Sequence, residues 1–379
     1  MNLLQRRIFT SVLFACAVGV GLFAFVLTIG NVVKDLLGYV VAGQMESGMF
    51  LELLALIPPA VLPYALPVGI LTGVLLVLGR LSADHEITAM RASGLSLGWI
   101  ARPILLLGVL GALTAIFINF QFFPWAKVTY EVQLADAART NPLSFIVPRT
   151  FIRVFPDKVL YVGEREGQSV KDFWLWDLDR RGRARTFVRA KTGSFYLDEA
   201  NSRLVLNLAD VHVEARDQKN PEDFSIPRPS LSFERTSYPL PLTNLFGRVS
   251  FHPKLQWLSY PALLAEWRRL AEPVAPAEQR QRELARMKLQ MVVQNKFASA
   301  FAAFSFALIG VPLGIRVSRS ETSANLGLAV VLALSYYFLT IVVGWLENQP
   351  DLRPDLLLWV PNLLFLGAGI WMFWRVDRQ

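Results

Sequence analysis

Six stretches of this chain contain no Asp, Glu, Lys or Arg over a length that matches a lipid bilayer: residues 8–33, 53–79, 103–123, 297–315, 324–346 and 356–374. An apolar run of about 18 or more residues reads as a membrane-spanning helix, because in hydrocarbon each backbone N–H and C=O must be satisfied within the protein. Composition agrees: the 379 residues are 53% hydrophobic and 18% charged, with mean hydropathy +0.39, too apolar for an ordinary soluble domain. The single cysteine, Cys16, lies in the first block, so no disulfide forms within the chain. That block continues to Val33, as a retained span does and a cleaved leader does not. The second block holds Pro58, Pro59, Pro63 and Pro67, a density expected to kink or break a helix locally.

Between the third and fourth blocks the pattern changes. From about Trp125 to Pro273 there is no membrane-length apolar run. Short alternating segments appear instead, at 150–155, 159–164, 170–178, 185–191, 193–197, 203–208, 211–215 and 230–236. Asp179-Arg180-Arg181-Gly182 and Asp198-Glu199-Ala200-Asn201 have turn chemistry, and Pro227, Pro229, Pro239 and Pro241 suit edges and exits. This spacing suggests an antiparallel sandwich or partly open barrel. Residues 260–270 and 277–296 read as helix, the second leading into the fourth block. The expected fold class is therefore membrane α+β: three spans in 1–124, a β-domain in 125–273 and three spans in 274–379.

Six spans put both termini on one side. If that side is the cytoplasm, the inner segments carry Arg6, Arg7, Arg80, Arg91, Arg102, Arg316, Arg319, Arg375 and Arg378, while the short outer loops carry only Lys34 and Arg353. The excess of basic residues inside fixes that orientation and makes the β-domain extracytoplasmic. Much of the net charge of +8 follows from this bias rather than from nucleic-acid binding. Trp99, Trp125, Trp345 and Trp374, near span ends, fit interfacial belts.

The segment between the second and third blocks is too polar to cross a membrane and too regular for a plain loop. Ser82 would cap a helix over 82–94, with Asp84 and Glu86 in its first turn and Gly94 as its stop. Ala83, Ile87 and Met90 then share one stripe, and Asp84, Thr88 and Arg91 another. The acidic first turn disfavours an anionic lipid surface, and a groove in a partner is the better fit.

Enzyme chemistry has little support. There is no Gly-x-x-x-x-Gly-Lys-Ser/Thr phosphate loop, so ATP hydrolysis is expected in a separate chain. Asp84, His85 and Glu86 are neighbours that point about 100° apart on a helix and cannot form a triad. His212 and Glu214 share a strand face without a third ligand nearby, which reads as a solvated face rather than a metal site. No cofactor or metal is called for. Lys34, at the outer end of the first span, and Lys127 and Arg139, after the third, stand where an ammonium or guanidinium meets lipid headgroups. Each has two readings: contact with an anionic lipid substrate, or ordinary interfacial anchoring.

Three spans, a β-domain and three more spans, with an amphipathic segment between spans two and three, resemble the lipopolysaccharide export permease family (LptF/LptG). Gly79-Arg80-Leu81 running into Glu86-Ile87-Thr88-Ala89-Met90-Arg91-Ala92-Ser93-Gly94 is similar to that family's coupling-helix signature, and Gly310-Val311-Pro312-Leu313-Gly314-Ile315-Arg316 to its pattern at the close of span four. The resemblance implies a half-transporter whose β-domain is a periplasmic jellyroll. It would pair with a second six-span permease and a cytoplasmic ABC ATPase dimer. Together they would extract lipopolysaccharide from the inner membrane and pass it to a periplasmic jellyroll bridge protein. It also implies that Glu86 seats the coupling helix in an ATPase groove, with Asp84, Ile87, Met90 and Arg91 as neighbours in that contact. Lys34 matches in position the basic residues near substrate phosphates; Lys127 and Arg139 have no motif to anchor them.

Rival readings fit less well. Lipoprotein-releasing permeases generally have four spans with the insert after the first. A membrane-anchored sensor would need a cytoplasmic signalling domain, and a lipid-modifying enzyme an acid, base or nucleophile cluster.

Overall fold

The computed structural model describes residues 2–37, 40, 47–140, 148–149, 151–152, 157–179, 182–198, 203–215, 230–241, 254–272, 279–316 and 322–378. Its helices are α1 (Leu3–Asn31), α2 (Ser47–Ala83), α3 (Glu86–Ala92), α4 (Leu97–Phe117), α5 (Phe123–Thr140), α6 (Tyr260–Ala271), α7 (Gln279–Arg316), α8 (Thr322–Gly344), α9 (Pro354–Leu357) and α10 (Val360–Asp377). Among the described residues six helices are long and apolar enough to span a membrane: Leu3–Asn31, Gly48–Ala83, Leu97–Leu134, Gln279–Arg316, Asn325–Gly344 and Pro354–Asp377. Two π-turns occur, at Val32–Leu36 and, joining α4 to α5, at Ile118–Phe122.

Three expectations change. Helix α2 runs unbroken through its four prolines. The third span does not stop near residue 123: helix continues to Thr140, since no glycine or further proline follows Pro124 before Pro142. The boundary expected at residue 125 therefore falls inside a helix. By their contacts the residues group into a helical unit of 1–35, 52–130 and 253–379 and a sheet unit of 36–51 and 131–252.

Glycines let α2 serve as the centre of the helical unit. A Cβ on Gly73 would lie 2.6 Å from Cys16 Sγ, and one on Gly69 would overlap Val20, so α1 crosses α2 at backbone distance. On the neighbouring helix, Cβ atoms at Gly310 and Gly314 would stand 2.9 Å from Val74 Cγ1 and 2.8 Å from Leu78 Cβ. The Gly310–Gly314 spacing thus has a packing cause. Cys16 is buried there and donates weakly to Ile70 O at 3.6 Å.

The sheet unit corrects the strand count. Among the described residues six strands occur: β1 (Phe151–Ile152), β2 (Lys158–Glu166), β3 (Ser169–Leu178), β4 (Ala184–Asp198), β5 (Arg203–Ala215) and β6 (Ser230–Pro241). They pair antiparallel in chain order, β1-β2-β3-β4-β5-β6. This is a meander among the described residues, whereas a jellyroll needs two Greek keys. The segments expected at 185–191 and 193–197 merge into β4, and those at 203–208 and 211–215 into β5. Residues that look like breaks leave the register unchanged: pairing omits Asp172, Lys191 and Asp210 in one row across β3, β4 and β5 and resumes in the same register, with Asp172 and Asp210 at φ +53, while the register between β3 and β4 shifts only between Asp177 and Leu178. Each strand gains one residue at that row, so the inward face is kept on both sides of it. Val170, Phe173, Leu208 and Val211 consequently share one buried cluster. Pro239 and Pro241 lie within the edge strand β6, where a lost N–H is tolerated. Arg180 and Arg181 of the expected turn lie outside the described residues, but Gly182 N–H closes it onto Asp179 O at 2.8 Å.

Replacing Gly73 by Leu should push α1 off α2, an overpacking cost of about 1–3 kcal/mol or more. Cys16 should then react with a membrane-permeant maleimide several-fold faster than in the native chain; an unchanged rate would count against this crossing.

Candidate functional site

Two places in the helical unit carry chemistry. The first is the segment between spans two and three. Ser82 does not cap a helix: its hydroxyl donates to Ile315 O at 2.8 Å, in the last turn of α7. Helix α2 instead continues to Ala83, His85 adopts φ +57, and α3 begins at Glu86. Gly94, at φ +89, ends it as expected. Leu95 N–H bonds to Met90 O (3.2 Å) and Gly94 N–H to Arg91 O (2.9 Å), the paired closure of a Schellman motif.

The faces of α3 also differ from the expected stripe. Ile87 and Met90 are buried, in one cluster with Ile8, Val12, Ile100 and Ile104, while Ala83 is exposed. Asp84, His85, Thr88 and Ala89 are exposed and Glu86 is half-buried. Asp84 and Arg80 form an ion pair at 3.6 Å with both side chains more than half exposed. Arg91 points to the chain's own last helix: Nη1 donates to Val376 O at 3.1 Å and Nη2 to Asp377 O at 2.9 Å. Gln5 Nε2 reaches Trp99 O at 3.4 Å. Helix α10 therefore meets this segment through Arg91, and α1 lies beside it, through Ile8 in the shared cluster and Gln5 at the start of α4.

The second place is a cavity of about 820 Å³ whose lining includes Tyr64, Asn119, Lys254, Lys296, Tyr337 and Thr340. Lys296 is its distinctive member, a lysine only 7% exposed. Its local cause is a backbone defect. In the π-turn, Phe123 N–H bonds to Ile118 O, and the next N–H, which would serve Asn119 O in the same register, belongs to Pro124 and does not exist. Lys296 Nζ donates to that carbonyl at 2.7 Å, while Asn119 Nδ2 donates to Lys296 O at 2.8 Å and to Ser299 Oγ at 3.0 Å. The ammonium also lies 5.5 and 5.4 Å from the ring centres of Phe120 and Phe123. At 1.5 Å per residue, Lys296 stands about 30 Å along α7 from Arg316, roughly the hydrocarbon thickness. The cavity cation and the Ser82 contact beside α3 thus lie about one hydrocarbon thickness apart along α7. At the cavity's edge Lys288 pairs with Glu347 at 3.1 Å.

Of the basic residues singled out in the sequence, Lys127 is half-buried and sits 4.8 Å from the Tyr130 ring centre and 5.4 Å from that of Trp257. It lines a smaller cavity of about 210 Å³ with Leu27, Asn31, Leu56 and Tyr64. Lys34 lies in the first π-turn and Arg139 on α5, but their side chains lie outside the described residues. Sequence reading missed Lys296 because it ended a helix there and began a span at Phe297. The available signal was Pro124, which orphans a carbonyl inside a span. Among the described residues, no group of three His, Cys, Asp or Glu is placed to hold a metal.

Residues 6–375 match the family described as lipopolysaccharide export system permease LptF/LptG. The chain belongs to this family. Curated relatives include the lipopolysaccharide export system permease protein LptF of Escherichia coli strain K12 and that of Shigella flexneri. Each is 24% identical over 345 residues, covering 88% of this chain and 85% of the relative. Membership makes this permease a transport subunit rather than an enzyme.

Lys296→Met should leave Asn119 O unsatisfied and destabilise the permease by about 1–3 kcal/mol. Adding Pro124→Ala restores an N–H to that turn and should recover more than half of the loss of thermal midpoint in detergent; no recovery would refute the assigned cause.

Proposed function

We propose that this permease is one half of an ATP-driven lipopolysaccharide exporter, and the observation that carries the reading is the largely apolar cavity with a buried lysine one membrane thickness from α3. Withdrawing acyl chains from a bilayer costs about 0.8 kcal/mol for each CH₂ left unburied. An extraction route therefore needs an apolar space beginning at leaflet depth, with cations for the phosphates of the head. Lys296 and Lys254, with Tyr64 and Tyr337 beside them, supply these features. The arginine excess at the α3 end supports a cytoplasmic location for α3 and both termini, with the sheet unit in the periplasm.

The partners follow from what the chain lacks. With no phosphate loop of its own, it takes motion from a cytoplasmic ABC ATPase dimer through α3. Glu86 and the exposed Asp84 and Thr88 form the docking face; Ile87 and Met90 hold the helix to the bundle instead. A second six-span permease closes the transport path, and the sheet unit passes the lipid to a periplasmic jellyroll bridge protein. Lys34, Lys127 and Arg139 are proposed substrate contacts at the outer boundary.

A photo-crosslinking residue at Thr340, on the cavity wall, should form adducts with lipopolysaccharide in intact cells; none at Thr340 or the neighbouring Ile341 would sink the cavity reading. Glu86→Lys should reduce co-purified ATPase by about tenfold, the effect of 1.4 kcal/mol, with membrane insertion unchanged. Undiminished recovery would remove Glu86 from the interface.

A further inference from the structure

Helix α3 has seven residues, far below the length at which an isolated helix is stable in water. Its position must come from what holds it. Ile87 and Met90 fix it to the core, and Ser82, just before it, reaches Ile315 O of α7. Arg91 supplies the remaining tie, over 285 residues of sequence, to the end of α10.

Val376 O and Asp377 O belong to the last turn of α10, where carbonyls lack intrahelical donors and the helix dipole is negative. A guanidinium answers both needs at once, since its planar fork reaches two carbonyls and its charge opposes the dipole. Arg91 is half-buried in doing so, and Phe373, one turn earlier on α10, packs against the same cluster as Ile87 and Met90. Spans two and three are joined to α3 by the chain itself. The last span is distant in sequence, and Arg91 brings its end to α3.

We propose that Arg91 is a positioning residue that fastens the last span to α3, so that force applied to α3 moves spans two, three and six together. Its guanidinium works within the chain, on the two end carbonyls of α10. Lysine cannot reproduce the tie, because one ammonium does not span two carbonyls in a fixed plane. The proposal rests on the reading of α3 as the ATPase-docking helix.

The test uses the full exporter in proteoliposomes, with Arg91→Ala and Arg91→Lys compared to the native chain. Lipopolysaccharide release and ATP hydrolysis are measured together. Spin labels at Ala89 and Arg378, with Cys16→Ala in all chains, report the distance across the tie. Expected are ATP hydrolysis within about twofold of native and release per ATP lowered by about tenfold in Arg91→Ala, the weight of one charge-assisted hydrogen bond. Arg91→Lys should fall between, and the label distances should broaden in the same order. A native release-to-hydrolysis ratio in Arg91→Ala would overturn the proposal. So would a fall in hydrolysis and release in equal proportion, which marks an assembly role. If Arg91→Ala does not assemble, Arg91→Lys decides: a native ratio and native distances overturn it. A native complex that releases no lipopolysaccharide defeats the exporter reading instead, and the label distances then judge the tie alone.

Discussion

Every polar group of a backbone placed in hydrocarbon needs a partner within the protein, and this molecule depends on how its side chains meet that requirement where helices alone do not. Lys296 completes Asn119 O, which Pro124 leaves without a donor. Arg91 completes the end of α10, and Ser82 an end carbonyl of α7. Two residues along α7 from Lys296, Asn362 Nδ2 and the Tyr336 hydroxyl both donate to Ala298 O, at 2.9 and 3.2 Å, tying spans four, five and six. The Tyr337 hydroxyl donates to Tyr64 O at 3.0 Å, on the proline-rich second span. Each bond joins different helices, so these side-chain bonds to the backbone also fix the arrangement of the spans.

Helix α7 links the two functional places. Near its C-terminal end it meets Ser82 beside α3; about 30 Å earlier, at 1.5 Å per residue, it carries Lys296. Between them Gly310 and Gly314 let it sit closely on α2, against Val74, Leu75 and Leu78. Motion at the α3 end therefore has a closely packed route to the cavity wall along α7.

The spans were readable because charge is excluded from each of them, and the short helix because Gly94 and the acidic turn mark it. Its start was not readable. Ser82 is a good cap by local chemistry, but a carbonyl on α7 competes for its hydroxyl, and the helix begins four residues later. Arg91 likewise looks like a partner contact until α10 is folded beside it. In the sheet, Asp210 and Gly193 look like strand ends; they are passed through because the unpaired residues of neighbouring strands fall in one row and the register is kept across it.

The sequence by itself determined the number of spans, the insertion of a β-unit after the third, the family and the place of the short helix. These follow from local hydropathy, turn chemistry and a contiguous motif. The tertiary structure alone decided that Lys296 lines a cavity, that Arg91 bonds to the end of the last span, and that the described strands form a meander. Each of these rests on partners distant in the chain, and the pull of a lone pair or a dipole from another helix has no local signature.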